Sequence, residues 1–273
     1  APSPNGYLHL GHAYSALFTR FWSDRLGGSF LLRLEDIDGT RCKPAFAQAI
    51  LDDLRWLGLD WPEPVMLQSA RLPAYIAAAD ALRAQGLLYP CFCSRTAIAA
   101  HAHGIDPDGA PLYDGACHRL STTGIADRLA RGDPVQWRLD SAAAIALAGP
   151  LAFAVAQPAP ADPPQLRDAR PWLWGDVVVQ RKETPASYHL SVVVDDAAQG
   201  VTHVTRGQDM EAATDLHVLL QRLLGLPQPI YSFHRLILDA AGRKLGKSRG
   251  STTLRDLRAA GRTAADIRVE LGF

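Results

Sequence analysis

The N-terminal stretch constrains the fold of this chain most strongly, because an irregular turn there leads directly into a helix. Pro2 and Pro4 exclude regular structure in the turn. Apolar residues then recur at helical spacing over residues 12–26. His9 and His12 are therefore predicted at a helix N-terminus, where backbone N–H groups and the positive end of the helix dipole attract phosphate.

Gly11 lies between the two histidines, where it allows a ligand to approach the backbone closely. The motif His-Leu-Gly-His, preceded by Ala-Pro-Ser-Pro-Asn-Gly, resembles the HIGH signature of class I aminoacyl-tRNA synthetases. The flanking residues resemble those of the glutamyl and glutaminyl branch. For the motif in isolation, a capped surface helix with incidental histidines is the alternative.

Composition indicates an ordinary globular protein. The 28 Lys and Arg residues equal the 28 Asp and Glu residues, so an RNA contact would have to come from a local basic patch. No apolar run approaches the roughly 20 residues that span a bilayer, and no charged-then-apolar leader is present. The expected location is cytoplasmic, although the chain opens on alanine and residues upstream of it can be missing.

A short apolar run at 29–34 predicts a buried parallel strand that ends in Glu35, Asp36 and Asp38. Acidic side chains at the carboxyl end of such a strand face the ligand-binding crevice of an open α/β sheet. The alternatives are a solvated turn, or Mg²⁺ held by Asp36 and Asp38. The run Leu-Arg-Leu-Glu-Asp-Ile-Asp resembles the strand after HIGH in glutamyl-type synthetases, which favours a ligand site.

Further helices and strands are predicted to alternate along the chain, as in a doubly wound layer. Pro44 starts one helix, and another covers 73–85. The β-branched run at 188–194 predicts a central buried strand, with Asp195 and Asp196 at its end.

Residues 201–205 predict another strand, and Arg206 follows it beside the crevice, where arginine is suited to bind a carboxylate. The alternatives are a core position for Tyr188 and a surface ion pair for Arg206. The family resemblance implies that glutamate is bound by Ala1, Pro2, Ser3, Glu35, Tyr188 and Arg206.

Three of the four cysteines, Cys91, Cys93 and Cys117, lie close together, which indicates a structural Zn²⁺ site in a reducing compartment, with buried free thiols as the alternative. The candidates for a fourth ligand are His101, His103, His118 and Tyr113. The stretch resembles the zinc insertion of glutamyl-queuosine tRNA(Asp) synthetases, in which a tyrosine joins three cysteines. That resemblance implies Tyr113.

Near the end of the chain, Lys-Leu-Gly-Lys-Ser at 244–248 resembles the KMSKS loop, the second class I signature. A P-loop is excluded, because Ala241 stands where that motif needs glycine and no helix follows Ser248 directly. The surrounding segment is basic and predicts either a solvated helix face or a tRNA-contacting surface. Its basic residues are Arg243, Lys244, Lys247, Arg249, Arg255, Arg258, Arg262 and Arg268.

The two signatures imply an α/β fold, a class I synthetase Rossmann-like doubly wound parallel sheet with a zinc-binding insertion. The expected divisions are the first half of the Rossmann-like domain at 1–88, the insertion at 89–171, the second half at 172–240, and the KMSKS-like loop with a short basic tail at 241–273. Within the insertion, the Ala- and Pro-rich segment 149–171 is expected to be a long loop or a mobile insertion.

The resemblance also implies the chemistry: ATP, expected with Mg²⁺, reacts with glutamate to give glutamyl-adenylate. The implied catalytic residues are His9, His12, Lys244 and Lys247, and the implied ATP-binding residues are His9, Gly11, His12 and Lys247. Because the chain stops soon after the KMSKS-like loop, it resembles the truncated glutamyl-queuosine branch, which modifies queuosine in tRNA(Asp), and a monomer is expected.

Three departures from the family pattern bear on activity. The family arginine that helps to hold glutamate precedes Ala1, Gly246 replaces a serine, and His189 stands where asparagine is common. The alternative functions are a glutamyl-tRNA synthetase fragment that charges tRNA(Glu), a HIGH-superfamily adenylyltransferase, and a non-enzymatic RNA-binding zinc module.

Overall fold

The computed structural model describes residues 1–157, 162–246 and 250–273. The helices are α1 Leu10–Arg25, α2 Pro44–Trp56, α3 Leu72–Ala84, α4 Arg95–His101, α5 Thr122–Ala130, α6 Ser141–Ala148, α7 Tyr188–Ala198, α8 Ala213–Leu223, α9 Leu254–Ala259 and α10 Ala264–Leu271. The strands are β1 Arg33–Leu34, β2 Met66–Leu67, β3 Leu88–Cys91, β4 Gln136–Leu139, β5 Ala152–Val155, β6 Gln165–Asp168, β7 Val178–Gln180, β8 His203–Gly207 and β9 Ile230–His234. Short 3₁₀ turns cover Gln68–Arg71, Ala116–Arg119, Pro171–Trp174 and Gln208–Met210.

The parallel strands lie in two sheets. One contains β1 and β2, and the other has the order β6-β5-β9-β8, in which β5, β9 and β8 are parallel and β6 is an antiparallel edge. A third, antiparallel sheet has the order β3-β4-β7. The predicted mixed α/β fold with parallel strands is confirmed, and the parallel strands are divided between two sheets.

Two large apolar clusters form most of the core. The first joins α3, α7 and α8, and its fully buried members include Tyr75, Leu190 and Leu219. The second joins α1 and α2 to the C-terminal helices, and Ile267 of α10 is fully buried in it. The C-terminal segment therefore packs against the helix that begins at the histidine motif.

The predicted helices at Pro44 and 73–85 are confirmed, and the predicted strand at 201–205 corresponds to β8. The predicted strand at 188–194 is wrong, because this segment is helix α7. Ser187 caps the helix by accepting a hydrogen bond from the Leu190 N–H at 3.4 Å. Burial between α3 and α8 overrides the strand preference of the three valines. Asp195 and Asp196 consequently lie inside a helix.

The long loop expected at 149–171 is also wrong. Its apolar, proline-free part forms β5, which pairs with both β6 and β9. Pro163 and Pro164 lie between the two strands, where they do not interrupt a ladder. Pro158 and Pro160 fall outside the described residues.

None of the described helices is both long and apolar enough to cross a lipid bilayer. The 16-residue α1 is shorter than the roughly 20 residues that a spanning helix needs.

A buried polar network fixes α7 against its neighbours. Asp195, fully buried in α7, accepts hydrogen bonds from Gln68 Nε2 at 3.0 Å, Arg71 Nε at 2.6 Å and Tyr75 OH at 2.7 Å. On the other side, Asp196 Oδ1 lies 2.9 Å from Arg33 Nη1. Because a buried charge needs such partners, the network orients the helix.

We expect Tyr75→Phe to lower the free energy of unfolding by about 2 kcal/mol, because it removes a hydrogen bond to a buried carboxylate. Urea denaturation measures this change. Tyr7→Phe is the matched control: its hydroxyl accepts an exposed hydrogen bond from Arg255 at 3.0 Å, and its loss should change stability by less than about 0.5 kcal/mol. Equal losses in the two variants would contradict the role given to Tyr75.

Candidate active site

The two histidines of the N-terminal motif cap α1. His9 is the N-cap residue, and its Nδ1 accepts a hydrogen bond from the Gly11 N–H at 3.1 Å. His12 Nδ1 accepts from the His9 N–H at 3.2 Å, and the ring centroids are 3.9 Å apart. A neutral imidazole that accepts at Nδ1 carries its proton on Nε2. Each ring therefore offers an N–H donor at the N-terminus of the helix.

The His9 ring packs closely against Gly11. A Cβ at this position would lie 3.0 Å from His9 Cε1 and 3.1 Å from His9 Nδ1. Any larger residue would therefore have to move the ring. This constraint adds to the close ligand approach expected from the sequence.

Two segments hold the histidine turn: the end of β1 and the start of α9. The Glu35 N–H donates to the Pro2 carbonyl at 3.1 Å, which attaches the turn to the end of β1. The Leu254 N–H donates to the Leu8 carbonyl at 2.8 Å, and His9 pairs with Thr253. The start of α9 therefore lies directly against the motif.

A cavity of about 750 Å³ lies between the two parallel sheets, with residues 28–33 on one side and residues 199–207 on the other. Its polar and N-terminal lining includes Ala1, Pro2, His12, Arg33, Glu35, Tyr188, Asp196 and Arg206. The structure thus brings most of the predicted glutamate residues to one cavity. Of the described residues predicted for catalysis, ATP or glutamate, those that do not line the cavity are Ser3, His9, Gly11 and Lys244.

Arg206 is a buried cation at the end of β8. Its exposed fraction is 7%, and it hydrogen-bonds His217 Nδ1 at 3.0 Å and Thr214 Oγ1 at 3.5 Å. Within the described part of the chain, no carboxylate oxygen lies within 4 Å of its guanidinium. The surface ion pair considered as an alternative is therefore excluded. A buried cation of this kind favours an anionic ligand.

Tyr188 begins α7 and lines the same cavity. Burial raises the pKa of its hydroxyl to about 12, and Arg206 acts in the opposite direction. The hydroxyl is therefore neutral at pH 7 and able to donate a hydrogen bond.

Arg33 lies between two acidic residues of the cavity lining, Glu35 and Asp196. Its guanidinium lies 2.9 Å from Asp196 and 3.8 Å from Glu35. Burial raises the pKa of the Glu35 carboxyl, and the amino group of Ala1 and then Arg33 act in the opposite direction. Arg33 and Asp196 were not predicted as site residues, because Arg33 lies within an apolar run and Asp196 was placed at the end of a strand.

Asp36 and Asp38 shape the turn after β1. Asp36 accepts hydrogen bonds from the N–H and the hydroxyl of Ser69 at 2.8 and 2.6 Å. Asp38 accepts from Thr40 and Arg41, and these hydrogen bonds lower its pKa to about 2. Among the described residues, neither belongs to a group of three or more side chains that could hold a metal ion.

The Sγ atoms of Cys91, Cys93 and Cys117 all lie within 4.8 Å of one another, and those of Cys93 and Cys117 are 3.5 Å apart. Tetrahedral Zn²⁺ with Zn–S bonds of about 2.3 Å needs sulfur atoms about 3.8 Å apart, so the thiols fit the ion. Tyr113 OH lies 3.6 Å from Cys93 Sγ, at the same cluster.

The candidate histidines do not join this cluster in the described structure. His118 Nε2 lies 3.0 Å from Asp140 Oδ2, and its ring packs edge-to-face with Tyr89. His101 and His103 are exposed. Tyr113 is therefore the candidate fourth ligand that the geometry favours.

The KMSKS-like segment begins as a hairpin. Leu238 pairs with Lys244, and Asp239 Oδ1 accepts hydrogen bonds from the N–H groups of Ala241 and Arg243 at 2.9 Å. Lys244 also forms an ion pair with Asp209, three residues after Arg206. Lys247, Ser248 and Arg249 lie outside the described residues.

Part of the predicted basic surface is engaged within the chain. Arg262 pairs with Glu270 at 2.6 Å, and Arg268 donates to the Leu57 carbonyl at 3.1 Å. Arg255 donates to Tyr7 OH. These contacts hold the C-terminal helices in place. Contact of this surface with tRNA stays a prediction.

Residues 1–264 match the model of the family described as tRNA synthetases class I (E and Q), catalytic domain. The whole chain is 46% identical to a Glutamyl-Q tRNA(Asp) synthetase of Rhodobacter capsulatus, covering 98% of that protein, and 39% identical to one of Symbiobacterium thermophilum, covering 84%. A glutamate–tRNA ligase of Parasynechococcus marenigrum is 38% identical over 98% of this chain, which spans only 55% of that ligase.

The fold also resembles the crystal structure of the glutamate–tRNA synthetase from Elizabethkingia anophelis, with a TM-score of 0.72 and 23% identity over 96% of this chain and 53% of the other. Fold, motif order and sequence identity agree. The chain belongs to the class I tRNA synthetase (E and Q) family, and within it to the glutamyl-Q tRNA(Asp) synthetases.

Proposed function

We propose that this protein activates glutamate with ATP to form glutamyl-adenylate and transfers the glutamyl group to the queuosine base in the anticodon of tRNA(Asp). The observation that carries the proposal is the buried guanidinium of Arg206, which faces the cavity without a carboxylate partner among the described residues. The side-chain carboxylate of glutamate supplies the missing charge. Glu35, half-buried in the lining of the same cavity, is suited to the substrate ammonium.

Activation requires a glutamate α-carboxylate oxygen to attack the α-phosphorus of ATP, so that pyrophosphate leaves. Negative charge then develops on the phosphate oxygens. The N-terminus of α1 and the Nε2–H groups of His9 and His12 are the donors that we assign to this charge. Lys247 is assigned to the leaving phosphates by its KMSKS-like motif, and Mg²⁺ is expected with the ATP.

Lys244 is assigned to the same loop. Its ion pair with Asp209 holds Lys244 itself next to the Arg206-Gly207 strand end. A Cβ on Gly207 would contact Leu236 Cδ2 at 3.0 Å, so a side chain is tolerated poorly between the two elements. This proximity supports a loop that acts beside the glutamate pocket.

The RNA acceptor is proposed from the two Glutamyl-Q relatives. The test is transfer of labelled glutamate to queuosine-containing tRNA(Asp), to tRNA(Asp) without queuosine, and to tRNA(Glu). Labelling of the first alone supports the proposal. Labelling of tRNA(Glu) would instead favour a charging enzyme like the 38% identical glutamate–tRNA ligase.

We expect Arg206→Ala to raise the glutamate KM by at least about a hundredfold with little change in the ATP KM, because a charge-assisted carboxylate contact is lost. Glutamate-dependent ATP–pyrophosphate exchange measures both constants. Arg167→Ala, which removes an exposed pair with Glu211, is the control and should leave both unchanged. Unaltered glutamate kinetics in Arg206→Ala would remove this residue from the pocket.

Gly11→Ala should lower kcat/KM for exchange by about tenfold or more, because the new methyl group displaces the His9 ring from its cap position. Gly39→Ala is the control, since a Cβ there meets no atom within 4 Å. If Gly11→Ala retained full activity, the position of the His9 ring would not matter to the reaction.

We further propose a structural Zn²⁺ held by Cys91, Cys93, Cys117 and Tyr113, with no open position for chemistry. The purified protein should contain about one zinc per chain, and Cys117→Ser should lose it. Cys42→Ser, which alters a thiol outside the cluster, should retain the metal. Chelation should lower the melting temperature before it abolishes exchange activity. Elemental analysis showing no zinc in the unaltered protein would contradict the site.

A further inference from the structure

Two histidines outside the cavity lining connect α8 and α7 to Arg206. His217 is buried with an exposed fraction of 1%, and its Nδ1 lies 3.0 Å from Arg206 Nη1. Its other ring nitrogen, Nε2, lies 3.2 Å from His189 Nδ1. The ring of His189 packs edge-to-face with Trp174, with the ring centroids 5.5 Å apart.

The chemistry of the partners fixes the proton positions along this chain of contacts. A guanidinium only donates, so His217 Nδ1 must accept. The proton of the neutral His217 ring is then on Nε2, from which it donates to His189 Nδ1. His189 must in turn carry its proton on Nε2. One arrangement of protons satisfies both contacts.

We propose that His217 and His189 form a neutral imidazole relay that positions Arg206 for the carboxylate of an anionic amino acid substrate. Neither ring lines the cavity, so both are positioning residues. This inference rests on the proposed function for the identity of the substrate. The relay itself rests on the contacts of the three side chains.

The surroundings of the relay keep both rings neutral. The positive groups that act on it are Arg206 from β8 and Arg181 from the turn after β7, and no carboxylate oxygen of the described residues lies within 4 Å of either ring. Burial, aided by Arg206, lowers the pKa of His189 to about 4 and that of His217 as well. The neighbouring Tyr188 hydroxyl is neutral.

Loss of His189 Nδ1, the acceptor for His217, would affect Arg206 indirectly. Without His189 Nδ1, the buried Nε2–H of His217 has no acceptor, and the ring loses the contact that fixes its orientation. Nδ1 remains the acceptor for Arg206, because a proton there would face the guanidinium donors, but it is held less accurately and the guanidinium loses its fixed direction. Asparagine at position 189 offers an oxygen to His217 and can replace the acceptor.

The test compares His189→Leu with His189→Asn in glutamate-dependent ATP–pyrophosphate exchange. His189→Leu should raise the glutamate KM about tenfold, the effect of one lost hydrogen bond linked to a charged group, with the ATP KM unchanged. His189→Asn should stay within about twofold of the unaltered protein. His118→Leu, in the insertion, is the matched control for loss of a histidine outside the relay.

Nitrogen-15 NMR of the unaltered protein tests the relay without any assay of activity. At pH 7 both rings should be neutral with the proton on Nε2, and the proton signal of the His217 Nε2–H should move to higher field in His189→Leu, where this N–H has lost its acceptor. A proton on His217 Nδ1 in the unaltered protein, or equal glutamate KM values in the Leu and Asn variants, would overturn the relay. Absence of glutamate-dependent exchange in the unaltered protein would contradict the proposed function alone, since the tautomers are observed independently.

Discussion

The buried charge of Arg206 is the constraint on which the substrate side of this structure depends. A guanidinium removed from water is costly unless hydrogen bonds and an anion compensate it. The described protein supplies an imidazole and a hydroxyl but no carboxylate within reach. The cavity therefore contains a positive charge that no carboxylate of the described residues neutralises. This unpaired charge favours an anionic ligand and is the physical basis of the glutamate site that we propose.

A second constraint is that the histidine turn is bonded both to the end of β1 and to the start of α9. The cap of α1 is made by the rings of His9 and His12, so the residues assigned to phosphate also determine where the helix begins. Leu254 and Thr253 join this turn from the C-terminal side, directly after the KMSKS-like segment. Residues 253 and 254, which follow the second signature in sequence, therefore contact the first signature directly.

Much of the candidate site was predictable, because its motifs lie where helices begin and strands end, and these boundaries can be recognised in the sequence. The position of His9 at a helix start follows from turn residues, and the strand end at Arg206 follows from local pattern. Helix α7 was missed because three consecutive valines favour a strand, and only burial between two other helices reverses that preference. His217 was missed for a related reason: a histidine in an apolar helix pattern carries no signal of what its two nitrogens contact. The same limit applies to β5, whose parallel partner β9 lies far away in sequence.

The three functions of α7 explain why its sequence is unusual for a helix. Its first turn presents Tyr188 to the cavity and His189 to the relay, whereas its last part anchors Asp195 and Asp196 in buried networks. A binding residue is held accurately when its element is fixed by packing and by buried hydrogen bonds. Stiff β-branched side chains between these two polar ends fill the space against α3 and α8 with few rotamers. The run of valines, which made the helix hard to recognise in the sequence, therefore helps to hold Tyr188 and His189 in position.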